Sequence, residues 1–220
     1  MAGFPKVVLF DLDGTLLDSA PDMLATINVM KAARNAAPMA LVDLRPHVSK
    51  GSRAMIGAAF PEWDEATRIA HVPEFLSVYA KESGAHGRPF AGVEAFLQTL
   101  EDAGVRWGII TNKPEGLARD IVEKLGWMTR SEVLIGGDTL AERKPHPMPL
   151  LHATADMGVS VDQCVYVGDD ERDIQAARAA DMRSIVALWG YRLEGDDPET
   201  WGADLMIDDI STLVAADVWP

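Results

Sequence analysis

Short apolar runs alternate with amphipathic stretches along most of the chain. The runs are rich in β-branched and other large apolar residues and predict strands at residues 7–10, 105–110, 132–135, 163–167, 184–188 and 204–207. The stretches between them show helical spacing, and a glycine follows several of them. They predict helices over residues 93–100, 115–125, 147–157 and 173–180, with a short helix from Ser211. The alternation predicts an α/β protein, a doubly wound parallel sheet covered by helices on both faces.

Residues 18–87 interrupt this alternation with helical patterns and no convincing strand. We predict one helix that starts at residues 18–21, a second over residues 44–60 that is interrupted near 49–52, and a third over residues 64–81 that bends at Pro73. The apolar face predicted for the third helix consists of Ile69, Val72, Leu76 and Tyr79. We therefore assign residues 1–17 and 88–220 to a core domain, with residues 18–87 as an inserted helical domain.

The composition narrows the functional classes. The 220 residues have a net charge of −14, which disfavours binding to nucleic acid phosphates or to anionic membranes. No window reaches 18 apolar residues, and the first six residues lead directly into a strand, which leaves no room for a secretion signal. Cys164 is the only cysteine and has the setting of a buried strand thiol, so no intrachain disulfide can form. We expect a cytoplasmic protein.

The first strand ends at two carboxylates, in the VVLFDLDGTLL segment of residues 7–17. Asp11 and Asp13 are two residues apart, so their side chains point the same way on an extended backbone, and Gly14 allows a close turn. Two anionic groups held together need a cation or a proton between them, and a divalent metal is the expected guest. A calcium loop fits poorly, because the glycine comes at the fourth loop position instead of the sixth. A local capping turn by Asp13 and Thr15 is the other alternative.

Polar residues also follow two later strands. Thr111 and Asn112 come after residues 106–110, and the GDDERD stretch at 168–173 comes after residues 165–167. Ligands bind at the carboxyl ends of parallel strands, so we expect these groups to meet Asp11. The alternative for Thr111 and Asn112 is that they cap the following helix. Lys144 stands at a predicted helix start, where a cation gains nothing from the helix dipole, so contact with the carboxylates is favoured over a solvated surface lysine.

These four segments, taken in this order, resemble the motifs of the haloacid dehalogenase-like phosphatases. The nucleophile motif of that family has four apolar residues followed by Asp-x-Asp-x-Thr/Val, which matches Asp11 and Asp13. The resemblance covers essentially the whole chain and implies a Rossmann-like core, with the helical insertion as a cap that closes over the site and excludes water. It also implies a small-molecule phosphate ester as the partner and Mg²⁺ as the cofactor.

The resemblance implies a role for each residue of the motifs. Asp11 would attack phosphorus to form an aspartyl-phosphate, and Asp13 would protonate the leaving oxygen and then activate water. Thr111 and Asn112 would hold the phosphoryl oxygens, while Lys144 would offset the negative charges. A haloacid dehalogenase needs no second carboxylate, so the presence of Asp13 favours phosphoryl chemistry.

The resemblance also implies a metal site. Asp169, the Asp11 carboxylate and the Asp13 backbone carbonyl would bind Mg²⁺ directly, and Asp173 would act behind them. Asp170 occupies a position that is often a small polar residue in relatives. Its simplest role is to cap the helix that follows.

The motifs say less about which phosphate ester is used. The nearest resemblance is to phosphoglycolate phosphatases, through the segments PFAGV at 89–93, TNKP at 111–114 and DIQAA at 173–177. The N-acetylmuramic acid 6-phosphate phosphatases are also similar, through GSRAM at 51–55, Trp107, the GDDERD stretch and WGAD at 201–204. A sugar phosphomutase would share the catalytic residues, and a regulatory protein could keep the fold without turnover. We expect a Mg²⁺-dependent phosphomonoesterase of the phosphoglycolate phosphatase type.

Two cations stand out in the helical insertion. Lys50 and Arg53 flank Gly51-Ser52 in a chain that is otherwise acidic. Substrates of both similar families have a carboxylate besides the phosphate, and a guanidinium can bind a carboxylate through two parallel hydrogen bonds. We therefore predict that Lys50 and Arg53 contact the substrate. The alternative is a solvated, basic helix end.

Overall fold

The structure is a computed structural model that describes residues 3–220, and its larger sheet is parallel. Residues 1 and 2, part of the predicted core segment 1–17, lie outside the described residues. The strands are β1 Val7–Phe10, β2 Leu17–Asp18, β3 Arg88–Pro89, β4 Arg106–Ile110, β5 Leu134–Ile135, β6 Cys164–Gly168, β7 Arg183–Ala187 and β8 Leu205–Ile207. Six of them form the sheet, in the order β5-β4-β1-β6-β7-β8, and all its pairs are parallel. The predicted α/β class is confirmed.

The middle of this sheet determines where the polar loops meet. Strand β1 lies between β4 and β6, and its four residues are buried, as expected when helices cover both faces of a sheet. The register pairs Phe10 with Ile109 on one side and with Val167 on the other. The three strands therefore end side by side, and the residues that follow them share one edge of the sheet.

The helices of the described residues largely follow the predicted pattern. They are α1 Ala20–Ala32, α2 Leu41–Leu44, α3 Ser52–Ala59, α4 Glu65–Ala70, α5 Val72–Glu82, α6 Val93–Asp102, α7 Glu115–Lys124, α8 Met148–Asp156 and α9 Glu171–Ala179. Helices α6 to α9 agree with the predicted core helices to within two residues at each end. The short helix predicted from Ser211 is a 3₁₀ helix, Ile210–Val214. No helix of residues 3–220 has the length and apolar character that a bilayer span requires.

The chain divides into two compact units. The core unit comprises Met1–Leu17, Pro89–Gly190 and Asp197–Pro220, and the helical unit comprises Asp18–Arg88 and Tyr191–Asp196. Residues 191–196, which the sequence pattern places in the core, belong to the helical unit. They pack with the helical unit because the Tyr191 hydroxyl donates to Asp18 Oδ1 at 2.6 Å and accepts from the Ala20 N–H at 3.0 Å.

Two of the helices predicted for the helical unit are broken. The second consists of α2, a 3₁₀ helix at Arg45–His47, and α3. Gly51 precedes α3 with φ 88°, a conformation that is not helical and that favours glycine. The third consists of α4 and α5, with His71 between them. Pro73 lies in the first turn of α5, where no N–H partner is needed, so the proline begins a helix instead of bending one.

The apolar face predicted for the third helix was wrong at one position. Ile69 is 51% exposed, because it belongs to the short α4 and not to the helix that follows. The buried side chains of α5 are Phe75 and Tyr79. Helical spacing continued across His71 therefore placed Ile69 on the wrong surface.

Asp22 fixes the end of the helical insertion to its first helix. Its carboxylate is fully buried and accepts backbone N–H groups from Gly84 at 2.8 Å, His86 at 2.7 Å and Gly87 at 3.1 Å. A Cβ atom on Gly87 would lie 2.8 Å from Asp22 Oδ2. One side chain thus satisfies three donors of the returning segment, which are costly to bury unpaired.

We expect Asp22→Ala to lower the free energy of unfolding of the protein by about 2–4 kcal/mol, because it leaves these buried N–H groups without their acceptor. Asp22→Asn, which keeps one acceptor oxygen, should lose less. Chemical denaturation of the three proteins measures the difference. Equal stability of the alanine variant and the parent would show that water or another group replaces the carboxylate.

The single cysteine lies where the sequence predicts it. Cys164 is fully buried on β6, and burial raises the pKa of its thiol to about 11. The thiolate is the reactive form of cysteine. Cys164 is therefore a packing residue of the sheet and not a candidate nucleophile.

Candidate active site

A buried lysine between two carboxylates forms the centre of the candidate site. Lys144 Nζ lies 2.9 Å from Asp11 Oδ1 and 2.7 Å from Asp173 Oδ1. The ammonium also donates to the Ile110 carbonyl at 2.8 Å and to the Tyr166 hydroxyl at 2.7 Å. The Tyr166 hydroxyl in turn donates to the same carbonyl at 2.8 Å. This network fixes the ammonium beside Asp11, at the edge where β1, β4 and β6 end.

Burial and neighbouring charges set the ionisation of this centre. Burial raises the pKa of Asp11 to about 6, against the influence of Lys144 and with a further increase from the Asp173 and Asp13 carboxylates. Burial acts to lower the pKa of Lys144, but the Asp11 and Asp173 carboxylates outweigh it and the pKa is raised. Burial, followed by the same carboxylates, holds the pKa of Tyr166 well above its usual value. At neutral pH Lys144 is therefore a cation and Tyr166 a neutral hydrogen-bond donor.

Three carboxylates offer a set of metal ligands. Asp11, Asp169 and Asp173 are buried, and each places one oxygen within 4.8 Å of the oxygens of the other two. Hard oxygen donors of this kind fit a divalent cation such as Mg²⁺. A Cβ atom on Gly14 or on Gly190 would lie 2.2 Å from an atom of the Asp169 side chain. The two glycines thus leave the space in which the Asp169 carboxylate lies.

The acidic loop also caps α9. The N–H of Arg172 donates to Asp170 Oδ1 at 3.1 Å, and the N–H of Asp170 donates to Asp173 Oδ2 at 3.1 Å. The predicted capping role of Asp170 is confirmed, and Asp170 also pairs with the Arg172 guanidinium at 2.7 Å. Both Asp173 oxygens are engaged by groups of the chain, one by Lys144 and one by Asp170. This geometry favours Asp173 as a residue that orients Lys144 over one that binds metal directly.

Thr111 and Asn112 lie at the end of β4 and hold the neighbouring segments. Thr111 Oγ1 accepts the N–H of Lys113 at 3.2 Å, and Asn112 Nδ2 donates to the Lys144 carbonyl at 2.8 Å. A Cβ atom on Gly137 would lie 2.3 Å from the Asn112 carbonyl oxygen, so this backbone is closely packed. Asn112 thus connects this loop to the backbone of Lys144, a role that the sequence did not predict.

Lys113 is a residue of the site that was not predicted from the sequence. Its Nζ lies 2.9 Å from each carboxylate oxygen of Asp13, and the Lys113 side chain is only 3% exposed. The Thr15 hydroxyl lies 3.3 Å from Asp169 Oδ1. Asp13 and Thr15, the two residues of the alternative local capping turn, therefore both contact residues that are distant in sequence. The available signal was the position of Lys113 directly after the Thr-Asn pair at a strand end. A lysine before a proline in a polar loop is, however, typical of a solvated surface side chain.

The two cations predicted to contact substrate lie in the helical unit. Lys50 Nζ is 2.9 Å from Asp196 Oδ2, and Arg53 Nε is 3.2 Å from Glu65 Oε1. Arg53 is 63% exposed and Glu65 57% exposed, so this pair contributes little to stability and can be exchanged for another partner. Contact of either cation with substrate stays a prediction.

The chain matches the family model described as haloacid dehalogenase-like hydrolase over residues 8–187. It belongs to the haloacid dehalogenase-like hydrolases. The predicted family is confirmed. Within this family, the proteins that are similar to the chain indicate a phosphatase, as the motifs predicted.

Similarity to known proteins covers nearly the whole length of the chain. The chain is 60% identical over 217 residues to a phosphoglycolate phosphatase of Xylella fastidiosa, covering 99% of this chain and 95% of the relative. It is 39% identical over 204 residues to an N-acetylmuramic acid 6-phosphate phosphatase of Pseudomonas aeruginosa, covering 92% and 90%. The crystal structure of a predicted phosphoglycolate phosphatase from Haemophilus somnus is similar with a TM-score of 0.82 at 25% identity, covering 95% and 96%.

Proposed function

We propose that this chain is a Mg²⁺-dependent phosphomonoesterase that hydrolyses 2-phosphoglycolate through an aspartyl-phosphate on Asp11. The observation that supports this chemistry most directly is the buried Asp11 carboxylate, 2.9 Å from the Lys144 ammonium and grouped with Asp169. An anionic nucleophile can approach an anionic phosphate only where positive charge offsets their repulsion. The 60% identity to a phosphoglycolate phosphatase supports the choice of substrate.

Asp11 and Asp13 divide the reaction between them. An Asp11 oxygen forms a bond to phosphorus while the bond from phosphorus to the ester oxygen breaks, and Asp13 gives that oxygen a proton. Asp13 then takes a proton from the water that attacks the aspartyl-phosphate, which releases phosphate and restores Asp11. Lys144 remains beside Asp11 in both steps and neutralises part of the charge that the phosphoryl group brings.

The residues present fit a divalent cation. Asp11, Asp169 and the Asp13 backbone carbonyl would hold it, while Asp173 keeps Lys144 in place. When bound, Mg²⁺ supplies positive charge that stabilises the phosphoryl oxygens during transfer. The Thr111 hydroxyl, which accepts one backbone hydrogen bond, can donate its proton to a phosphoryl oxygen.

We expect activity to require Mg²⁺ and Asp169→Asn to raise the Mg²⁺ concentration for half-maximal rate by more than about tenfold, because a charged ligand is lost. Calcium should inhibit, since its larger and looser coordination shell disturbs the in-line geometry. Asp120→Asn, at an exposed position on α7, is the matched control. Full activity in excess chelator, or equal rates with calcium, would contradict the proposed site.

The substrate is tested by kcat/KM for 2-phosphoglycolate, N-acetylmuramic acid 6-phosphate and p-nitrophenyl phosphate, because discrimination between substrates lies in that ratio. Free phosphate is the measured product, so a phosphomutase, which releases none, is separated from a phosphatase. We expect 2-phosphoglycolate to give the highest value. A clear preference for N-acetylmuramic acid 6-phosphate would transfer the assignment to that substrate, and no phosphate from any ester would contradict the proposed function.

We propose that the helical unit acts as a cap and recognises the part of the substrate that lies beyond the phosphate. If Arg53 binds the substrate carboxylate, Arg53→Ala should lower kcat/KM for 2-phosphoglycolate by about 10- to 150-fold, the value of a charge-assisted hydrogen bond. Activity on p-nitrophenyl phosphate, which lacks a carboxylate, should barely change. Arg119→Ala removes an arginine that is similarly exposed and paired with a glutamate, and serves as the control.

The same panel separates the alternatives for Arg53. Equal losses on both substrates would indicate general damage to the helical unit. No loss on either would leave Arg53 as a surface residue. Lys50→Ala is measured in parallel, because Lys50 is the other cation beside Gly51 and its partner Asp196 belongs to the same unit.

A further inference from the structure

The ammonium of Lys113 is held at a defined place in the site. It lies 2.9 Å from both oxygens of the Asp13 carboxylate, and the two side chains are 3% and 14% exposed. The backbone is also fixed, because the Lys113 N–H donates to Thr111 Oγ1 at 3.2 Å and its carbonyl accepts the Gly137 N–H at 2.8 Å. Lys113 is therefore a positioned cation beside the proposed acid and base.

This position is close to where part of the substrate must lie. To protonate the leaving group, Asp13 has to come within hydrogen-bond distance of the ester oxygen, about 2.6–3.2 Å. Lys113 lies one hydrogen bond beyond Asp13. In a phosphorylated 2-hydroxy acid the carboxylate carbon is two bonds from the ester oxygen, a spacing that would let the carboxylate reach an ammonium in contact with Asp13. The carboxylate of N-acetylmuramic acid 6-phosphate is many bonds further from its phosphate.

Charge at the site makes such a contact valuable. The chain has a net charge of −14, and the loops at the sheet edge add several carboxylates around the reacting phosphorus. Lys144, Arg172 and Lys113 are each paired with a carboxylate, and Lys113 is the one paired with Asp13, the proposed acid and base. A second negative group on the substrate is stabilised by positive charge near the ester oxygen, and the Lys113 ammonium contacts the residue that is proposed to protonate that oxygen.

We propose that Lys113 determines specificity by binding a carboxylate on the carbon that bears the phosphate ester. The inference rests on the proposed function and narrows it to phosphorylated 2-hydroxy acids, of which 2-phosphoglycolate is the smallest. Recognition of the carboxylate is separate from the contact with Asp13 and is measured separately.

The test compares Lys113→Met, a neutral variant of similar length, with the parent enzyme on 2-phosphoglycolate and ethyl phosphate in saturating Mg²⁺. Both are alkyl esters that need a proton on the leaving oxygen, and only the first has a carboxylate. Any effect of Lys113 through Asp13 therefore lowers kcat/KM for both, and the ratio of the two values reports the carboxylate alone. We expect the ratio to fall by about 10- to 150-fold.

The remaining outcomes overturn the inference. A ratio within about threefold of the parent, with both esters slowed, would show that Lys113 acts through Asp13. Equal loss on p-nitrophenyl phosphate as well would show damage to the site as a whole. Lys113→Gln replaces Lys113→Met if circular dichroism shows that the methionine variant does not fold, and Lys113→Arg should retain most of the preference. A parent enzyme that hydrolyses none of the esters would instead contradict the proposed function.

Discussion

Asp11→Asn should reduce turnover by at least about 10⁴-fold while leaving a folded protein. The amide has nearly the same shape as the carboxylate but is a very poor nucleophile, so the first bond to phosphorus cannot form. Steady-state phosphate release from 2-phosphoglycolate measures the loss. Appreciable activity in a preparation shown by mass spectrometry to be free of parent enzyme would remove Asp11 from the mechanism.

Asp11→Asn should also change how the free energy of unfolding depends on pH. Burial raises the pKa of Asp11 from 3.8 to about 6, so the protonated carboxyl favours the folded state and this contribution is lost as the pH rises from about 3.8 through about 6. The amide does not titrate. In chelator, Asp11→Asn should therefore gain stability relative to the parent between pH 4 and pH 7, as measured by denaturant unfolding. A relative loss over this range would show that the ion pair with Lys144 outweighs the burial of the charge.

Asp13→Asn should lower kcat on 2-phosphoglycolate by about 10²–10⁴-fold, the usual contribution of a general acid and base. The Asp13 backbone carbonyl, the expected contact with metal, survives the substitution. Calorimetric Mg²⁺ binding should therefore change much less than the rate. Equal loss of metal binding and turnover would mean that the Asp13 side chain mainly builds the metal site.

The leaving group adds a control to this prediction. The kcat/KM value covers the steps up to departure of the leaving group, and p-nitrophenolate leaves without a proton. Asp13→Asn should therefore reduce kcat/KM far more for 2-phosphoglycolate than for p-nitrophenyl phosphate. Equal reductions for the two esters would contradict the assignment of Asp13 as the general acid.

The sequence predicted those parts of the fold that depend on local pattern. Four consecutive apolar residues, Val7–Phe10, predict a central strand because a strand covered on both faces is apolar at every position. All four are buried in the structure. Parallel strands place their carboxyl ends together, so Asp11, Thr111 and Asp169 could be expected at one edge from the sequence alone. Asp170 could be expected to cap α9 because the capping residue precedes the helix in sequence.

Contacts between distant segments were not predictable in the same way. Lys113 and Asp13 are 100 residues apart, and a lysine next to a proline has no local feature that marks it as buried. Tyr166 lies on a strand in which every residue is buried, so its ring looks like core packing and its hydroxyl contact with Lys144 is invisible in the pattern. Residues 191–196 join the helical unit through the Tyr191 hydroxyl, which also depends on a partner far away in sequence.

The helix breaks in the helical unit were not predicted for a different reason. Helical spacing of apolar residues continues from α4 into α5, although His71 separates them. Periodicity detects which residues could share a face, but it does not detect where the helix axis changes direction. Ile69 was placed on a buried face for this reason, while Phe75 and Tyr79 form the face that is buried.

The central claim, transfer of the phosphoryl group to the enzyme before water, is tested most directly by the stereochemistry at phosphorus. A phosphorothioate analogue of 2-phosphoglycolate, made chiral with oxygen isotopes, is hydrolysed in isotopically labelled water, and the configuration of the released thiophosphate is determined. Each in-line displacement inverts phosphorus, so attack by Asp11 followed by attack by water predicts net retention. Net inversion would show that water attacks the substrate directly and would contradict an aspartyl-phosphate on Asp11.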